Sequence, residues 1–157
     1  MTSDLYMKLN EMGIDLDKPA TPAGDYVPVL VIGDMIYVSG QLPLVNGAIE
    51  LTGQVGASVT IEDARGQARQ CAIAILRQVA SVSDNLKNVK RVIKLGGFVV
   101  STTDFTGQPK VIDAASELMV TLFGENGKHT RFAVGVSSLP LGAVVEIDAI
   151  FQLKKKR

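Results

Sequence analysis

Two segments of this chain carry one-sided apolar stripes at helical spacing, and each stripe needs a flat apolar surface to lie on. From Ile61 to Val79 the residues Ile61, Ala64, Ala68, Cys71, Ala72, Ile75, Leu76 and Val79 advance in steps of three and four, with Arg65, Arg69 and Arg77 off the stripe. After Gln108-Pro109, where the proline suits a first helical turn, Val111, Ile112, Ala115, Leu118, Met119, Leu122 and Phe123 repeat the pattern until Gly124 ends it. β-type segments flank both stripes. Val27 to Ile32 and Met35 to Ser39 meet at a Gly33-Asp34 hairpin turn, and Asn46-Gly47 gives a second hairpin signal, so the first third reads as a β-meander. Val89 to Ser101 lies between the helices, and Arg131 to Ser138 and Ala143 to Leu153 follow them, joined by a turn at 139–142. The expected order is ββ(β)-α-β-α-ββ. Two helices covering one face of a mixed sheet make a two-layer α+β domain. A short helix from Ser3 to Gly13 and a loop form an extension over residues 1–23, and the domain proper spans 24–157 with a basic C-terminal tail.

If both helices cover one sheet face, the other face needs an explanation of its own. In the last strand Val145, Ile147, Ala149, Phe151 and Leu153 alternate with Val144, Glu146, Asp148, Ile150 and Gln152, and the first set belongs under the helices. In the strand before it, Phe132, Val134 and Val136 alternate with Arg131, Ala133, Gly135 and Ser137. This predicts Phe132 toward the helices, and Arg131 and Glu146 together on the open face. Val144 and Ile150 add apolar area there, a mixture that marks a surface covered by another subunit.

Sixteen basic residues balance sixteen acidic ones, so the chain lacks the positive excess that contacts to several phosphates require. Nucleic acid is not an expected partner, and the run Lys154 to Arg157 reads as a solvated tail. No apolar segment near the N-terminus has the length of a signal peptide or a membrane span, so a soluble cytoplasmic protein is expected. The lone Cys71 sits within a helical stripe and reads as core, in keeping with a reducing compartment. One histidine and one cysteine supply no metal cluster, and no cofactor is expected.

Four segments in order resemble the Rid family, also called the YjgF family. Gly24-Asp25-Tyr26 resembles its Gly-Pro-Tyr segment, and Val38-Ser39-Gly40-Gln41 resembles its Ser-Gly-Gln strand end. Gly97-Phe98-Val99 to Asp104-Phe105 resembles its central strand and following turn. Arg131, Leu139-Pro140 and Glu146 reproduce its most specific spacing, Arg-x7-Leu-Pro-x5-Glu. The N-terminal helix and the segment 124–129 resemble a longer branch of the family. The resemblance implies a chorismate-mutase-like fold, a homotrimer built by packing open sheet faces, and a pocket for a small carboxylate metabolite in each inter-subunit cleft. It implies Arg131 and Glu146 as catalytic residues, backbone contacts from Gly40 and Ala133, and Tyr26 and Ser39 at the rim. Asp25 stands where the archetypal members have proline, and Asp113 where many have asparagine. A carboxylate at 113 adds negative charge beside the cleft, which weighs against the archetypal anionic substrate.

The activity that the resemblance implies is hydrolysis of reactive enamines and imines such as 2-aminoacrylate to the 2-keto acid and ammonia. The residue types suit it: a guanidinium fork pairs bidentately with a carboxylate, and a glutamate can orient a water and take its proton. The alternatives are a non-catalytic metabolite-binding trimer and, ranked below it, the endoribonuclease or translation inhibitor named for some relatives. On periodicity alone, Arg131 and Glu146 read as an ion pair between neighbouring strands. His129 reads as a loop residue.

Overall fold

The structure, a computed structural model, describes residues 2–156. Helix α1 (Thr2–Glu11) is followed by strands β1 (Val29–Ile32) and β2 (Met35–Gln41), helix α2 (Ile61–Val82), strand β3 (Val89–Val100), helix α3 (Gln108–Phe123), strand β4 (Thr130–Val136) and strand β5 (Val145–Leu153). The five strands form one mixed sheet in the order β1-β2-β5-β3-β4. Only β3 and β4 pair in parallel, which their crossover through α3 requires. The two-layer α+β architecture is as the stripes predict.

Local chemistry accounts for the element ends. Helix α1 closes in a Schellman motif, with Gly13 at φ 64°, its N–H donating to the Asn10 carbonyl and that of Ile14 to the Leu9 carbonyl. The Thr60 hydroxyl caps α2 by accepting from the Asp63 N–H at 3.1 Å. Gly33 is at φ 61° in the β1–β2 turn, where Ile32 faces Met35, and only the first central residue of the turn has positive φ, as in a type II′ hairpin. Asn46 and Gly47 both take positive φ, yet the hairpin there is reduced to a single bridge between Val45 and Ala48. The expected third meander strand therefore does not form.

The stripe residues Ala64, Ala68, Cys71, Ala72, Ile75, Leu76 and Val79 of α2, with Val111, Ile112, Ala115 and Met119 of α3, are buried against Val145, Ile147, Ala149 and Phe151 of β5. Phe123 and Phe151 meet edge to face at 6.3 Å. Leu5, Leu9 and Ile14 extend this core under α1.

Three sequence expectations fail here. First, β4 and β5 are not neighbours, because β3 lies between them. Second, the β4 faces are inverted. Arg131, Ala133 and Gly135 are in register with Leu95, Gly97 and Val99 on the helix side, whereas Phe132 and Val134 pair with Gly96 and Phe98 on the open side. Phe132 packs edge to face on Phe98 at 5.3 Å, with the Lys94 ammonium 5.4 Å from its ring centre. Third, Val144 is fully buried in the core and its carbonyl accepts from the Val100 N–H, so it adds nothing to the open face.

Candidate functional site

The residues singled out from the sequence fall into two groups on opposite sides of the sheet. On the helix side, at the β4 edge, Arg131 reaches toward one stripe of α3. Its Nη1 donates to Asp113 Oδ1 at 2.7 Å and to Ser116 Oγ at 3.1 Å, and its Nη2 makes a long contact of 3.5 Å to the Pro109 carbonyl. Pro109, Asp113 and Ser116 share a face of α3 because their spacings of four and three bring them into line. The Arg131 side chain retains only 21% of its exposure and that of Asp113 47%. Among the described residues, Nε of Arg131 has no acceptor within hydrogen-bonding distance.

A second layer holds this cation. His129, two residues before Arg131, places Nδ1 2.6 Å from the Gly127 carbonyl and Nε2 2.9 Å from Ser116 Oγ. A carbonyl only accepts, so in the neutral ring Nδ1 carries the proton and Nε2 accepts from the Ser116 hydroxyl. Ser116 then donates to His129 and accepts from Arg131. Gly127 fits because a side chain there would run into the α3 backbone at Met119 and Val120, so only glycine lets the 124–127 turn press against the helix. His129, read from the sequence as a plain loop residue, is part of this assembly, and Ser116 was missed. Its signal was present, three positions after Asp113 on the same helical face.

The other group lies on the open face. In β2, Ser39 and Gly40 together stand opposite Asp148 alone, because pairing steps from Val38 with Ala149 to Gln41 with Ile147. This β-bulge bends the strand where the Ser-Gly-Gln segment sits. A side chain on Gly40 would collide with the carboxylate of Glu146, so the glycine gives Glu146 the space above it. Ser39 Oγ donates to the Val27 carbonyl at 2.8 Å, tying down the segment beside Tyr26, whose ring is exposed. Burial, and next to it the charge of Asp148, push the Glu146 carboxyl above its ordinary range. Burial likewise pushes Asp148 up, against the pull of Lys94.

Arg131 and Glu146 therefore do not share a face within one chain, and no ion pair joins them. Ala133 lies with Arg131 on the helix side, while Ser39, Gly40 and Glu146 lie together at the bulge. Around the second group the open face exposes Leu30, Ile32, Tyr37 and Val134. No group of three or more histidine, cysteine, aspartate or glutamate side chains among the described residues could hold a metal ion. No helix among them is long and apolar enough to cross a membrane.

Comparison with known proteins gives this arrangement a context. The model of the family described as "YjgF/chorismate_mutase-like, putative endoribonuclease" matches residues 7–153. Protein TCP17 of Trypanosoma cruzi is 44% identical over 146 residues, covering 92% of this chain and 91% of that protein. The crystal structure of Atu1372 from Agrobacterium tumefaciens, a protein of unknown function, superposes with a TM-score of 0.87 at 44% identity, covering 98% of this chain and 95% of that one. A Shewanella oneidensis MR-1 structure, described as a "putative endoribonuclease", gives a TM-score of 0.90 at 26% identity, with 95% and 99% covered. With the Arg-x7-Leu-Pro-x5-Glu spacing set into β4 and β5 of a mixed sheet under α2 and α3, the chain belongs to the YjgF, or Rid, family.

Proposed function

We propose that this protein is a cofactor-independent enamine/imine hydrolase whose site is completed between copies of the chain. Arg131 of one copy holds the carboxylate of a small substrate, and Glu146 of the next, with Tyr26, Ser39 and Gly40, supplies the water-handling side. The observation that carries the reading is the state of Arg131. Its Nη1 is fixed by Asp113 and Ser116, while the edge formed by Nε and the second Nη2 proton has no strong acceptor among the described residues. Such an edge accepts a carboxylate bidentately at little cost in reorganisation.

The division of residues between two sheet faces supports a shared cleft, and the exposed apolar residues Leu30, Ile32, Tyr37 and Val134 support a trimer formed through the open face. In the reaction, water attacks the carbon of the iminium and its oxygen forms the new C–O bond. The π electrons move onto nitrogen, and Glu146 takes the proton the water releases. Glu146 returns that proton to the nitrogen of the resulting carbinolamine, the C–N bond breaks as the hydroxyl becomes the carbonyl, and the hydroxyl proton passes to the departing ammonia, leaving the 2-keto acid and ammonium. A carboxyl whose pKa is raised is a better proton acceptor than an ordinary carboxylate once ionised.

A coupled assay tests this reading, with 2-aminoacrylate generated in place and pyruvate release followed against the buffer rate. Wild type should accelerate release. Arg131→Ala should lose roughly two to three orders of magnitude in kcat/KM, the value of about two charge-assisted hydrogen bonds partly replaced by water. Arg131→Lys should fall between, since lysine keeps the charge without the planar fork. Keto-acid binding to wild type without any acceleration would make the protein a binding trimer instead.

A further inference from the structure

We infer that Asp113 makes this a site for zwitterions, ligands carrying both a carboxylate and a cationic ammonium or iminium nitrogen, and that it disfavours the plain carboxylate. This rests on the reading that Arg131 takes the carboxylate. Asp113 Oδ1 is 2.7 Å from Arg131 Nη1, so the two charges form a dipole at the lip of α3 and cancel at longer range. A simple anion approaching Arg131 meets the negative end of that dipole. A ligand with a positive nitrogen beside its carboxylate meets the dipole head to tail, and both of its charges are matched.

The side chains around Asp113 leave it available for that contact. Ser116 Oγ is within hydrogen-bonding distance of His129 Nε2 and Arg131 Nη1, and no hydrogen bond joins it to Asp113. Among the described residues no donor lies within hydrogen-bonding distance of Oδ2, and the side chain keeps 47% of its exposure. Glu117 on the same helix is engaged with Arg65 at 2.9 Å and does not compete for the guanidinium. For the proposed hydrolysis the consequence is directional. The iminium substrate carries the cationic nitrogen, the 2-keto acid product has a neutral oxygen in its place, and product loses the Asp113 contact as it forms.

L-alanine and propanoate differ only by an ammonium in place of a hydrogen, and titration of each into the full chain, followed by NMR or calorimetry, isolates the effect. Wild type should prefer L-alanine by about ten-fold or more, the scale of one charge-assisted hydrogen bond. Asp113→Asn should weaken L-alanine, strengthen propanoate and shift the ratio by at least about ten-fold, while Asp113→Glu, which keeps the charge, should retain the preference. Arg131→Ala should weaken both ligands. If Arg131→Ala weakens both but Asp113→Asn leaves their ratio unchanged, the zwitterion assignment is overturned and the carboxylate reading stands. If Arg131→Ala changes neither, the carboxylate reading fails and the zwitterion assignment goes with it.

Discussion

The β4 edge and the bulge on the open face are built on opposite plans. At the edge, charge meets countercharge in the same chain: Arg131 pairs with Asp113, Ser116 and His129 brace the pair, and one edge of the guanidinium stays open. At the bulge, Glu146 and Asp148 lie two residues apart on one sheet face, each pushed up by burial and Glu146 further by its neighbour. Exposed apolar side chains surround them. The first region balances its charges within a single chain. The second is costly as it stands, and its polar and apolar mixture is what a covering surface would relieve.

The sharpest way to break this contrast is to make the open face unfit for burial. Ile150→Glu places a third carboxylate in the column with Glu146 and Asp148 while leaving the core untouched. It should weaken association at least about a hundred-fold and yield monomers at micromolar concentration by sedimentation, because an unpaired charge would have to be desolvated. A variant that stays assembled would show that the open face is not the contact. On the covered side, Cys71 donates to the Val145 carbonyl at 3.5 Å, and burial, followed by the charge of Glu146 across the sheet, pushes its thiol up. Cys71→Ala should cost about 1–2 kcal/mol, roughly 3–6 °C in Tm by calorimetry, and leave ligand affinity per folded molecule unchanged.

The smallest effect is the most diagnostic of the open face. Glu146 has a raised pKa in the folded chain, so its protonated form favours folding. That contribution is complete below the unfolded pKa and is lost as pH rises through the folded one. Glu146→Gln should therefore stabilise the isolated chain near neutral pH by about 0.5 kcal/mol, after allowance for solvent screening of a half-exposed group. The gain should shrink as pH falls into the carboxylate range, which thermal melts at several pH values would record. The same variant should lower turnover more than keto-acid binding.

Element existence and order were legible in the sequence because helical stripes and turn residues act locally. The Gly33-Asp34 turn, the Gly13 and Gly124 stops and the α2 stripe all stand as the spacing predicts. The faces of β4 were not legible. Alternation tells which residues share a side but not which side it is, and in β4 both sets are mixed: Phe132 and Val134 are apolar yet open, while Arg131 is charged yet lies under α3. β5 gave no such trouble, since one of its sets is wholly apolar. Adjacency failed for a different reason. Consecutive strands are usually neighbours, but β4 runs parallel to β3 and its connection to β5 must pass across that strand. The family spacing singled out Arg131 and Glu146 without revealing that they lie on opposite faces of the sheet.

The position of β5 has a consequence for how the molecule is made. It is the last strand in sequence and the middle strand of the sheet, paired with β2 on one side and β3 on the other. Ile36 meets Phe151 across most of the chain. Until β5 arrives, the β1–β2 hairpin and the β3–β4 pair have no common edge, and a nascent chain on the ribosome presents two unpaired strand edges at once. Folding must wait for synthesis to reach residue 153, and then closes both ladders in one cooperative, high-contact-order step.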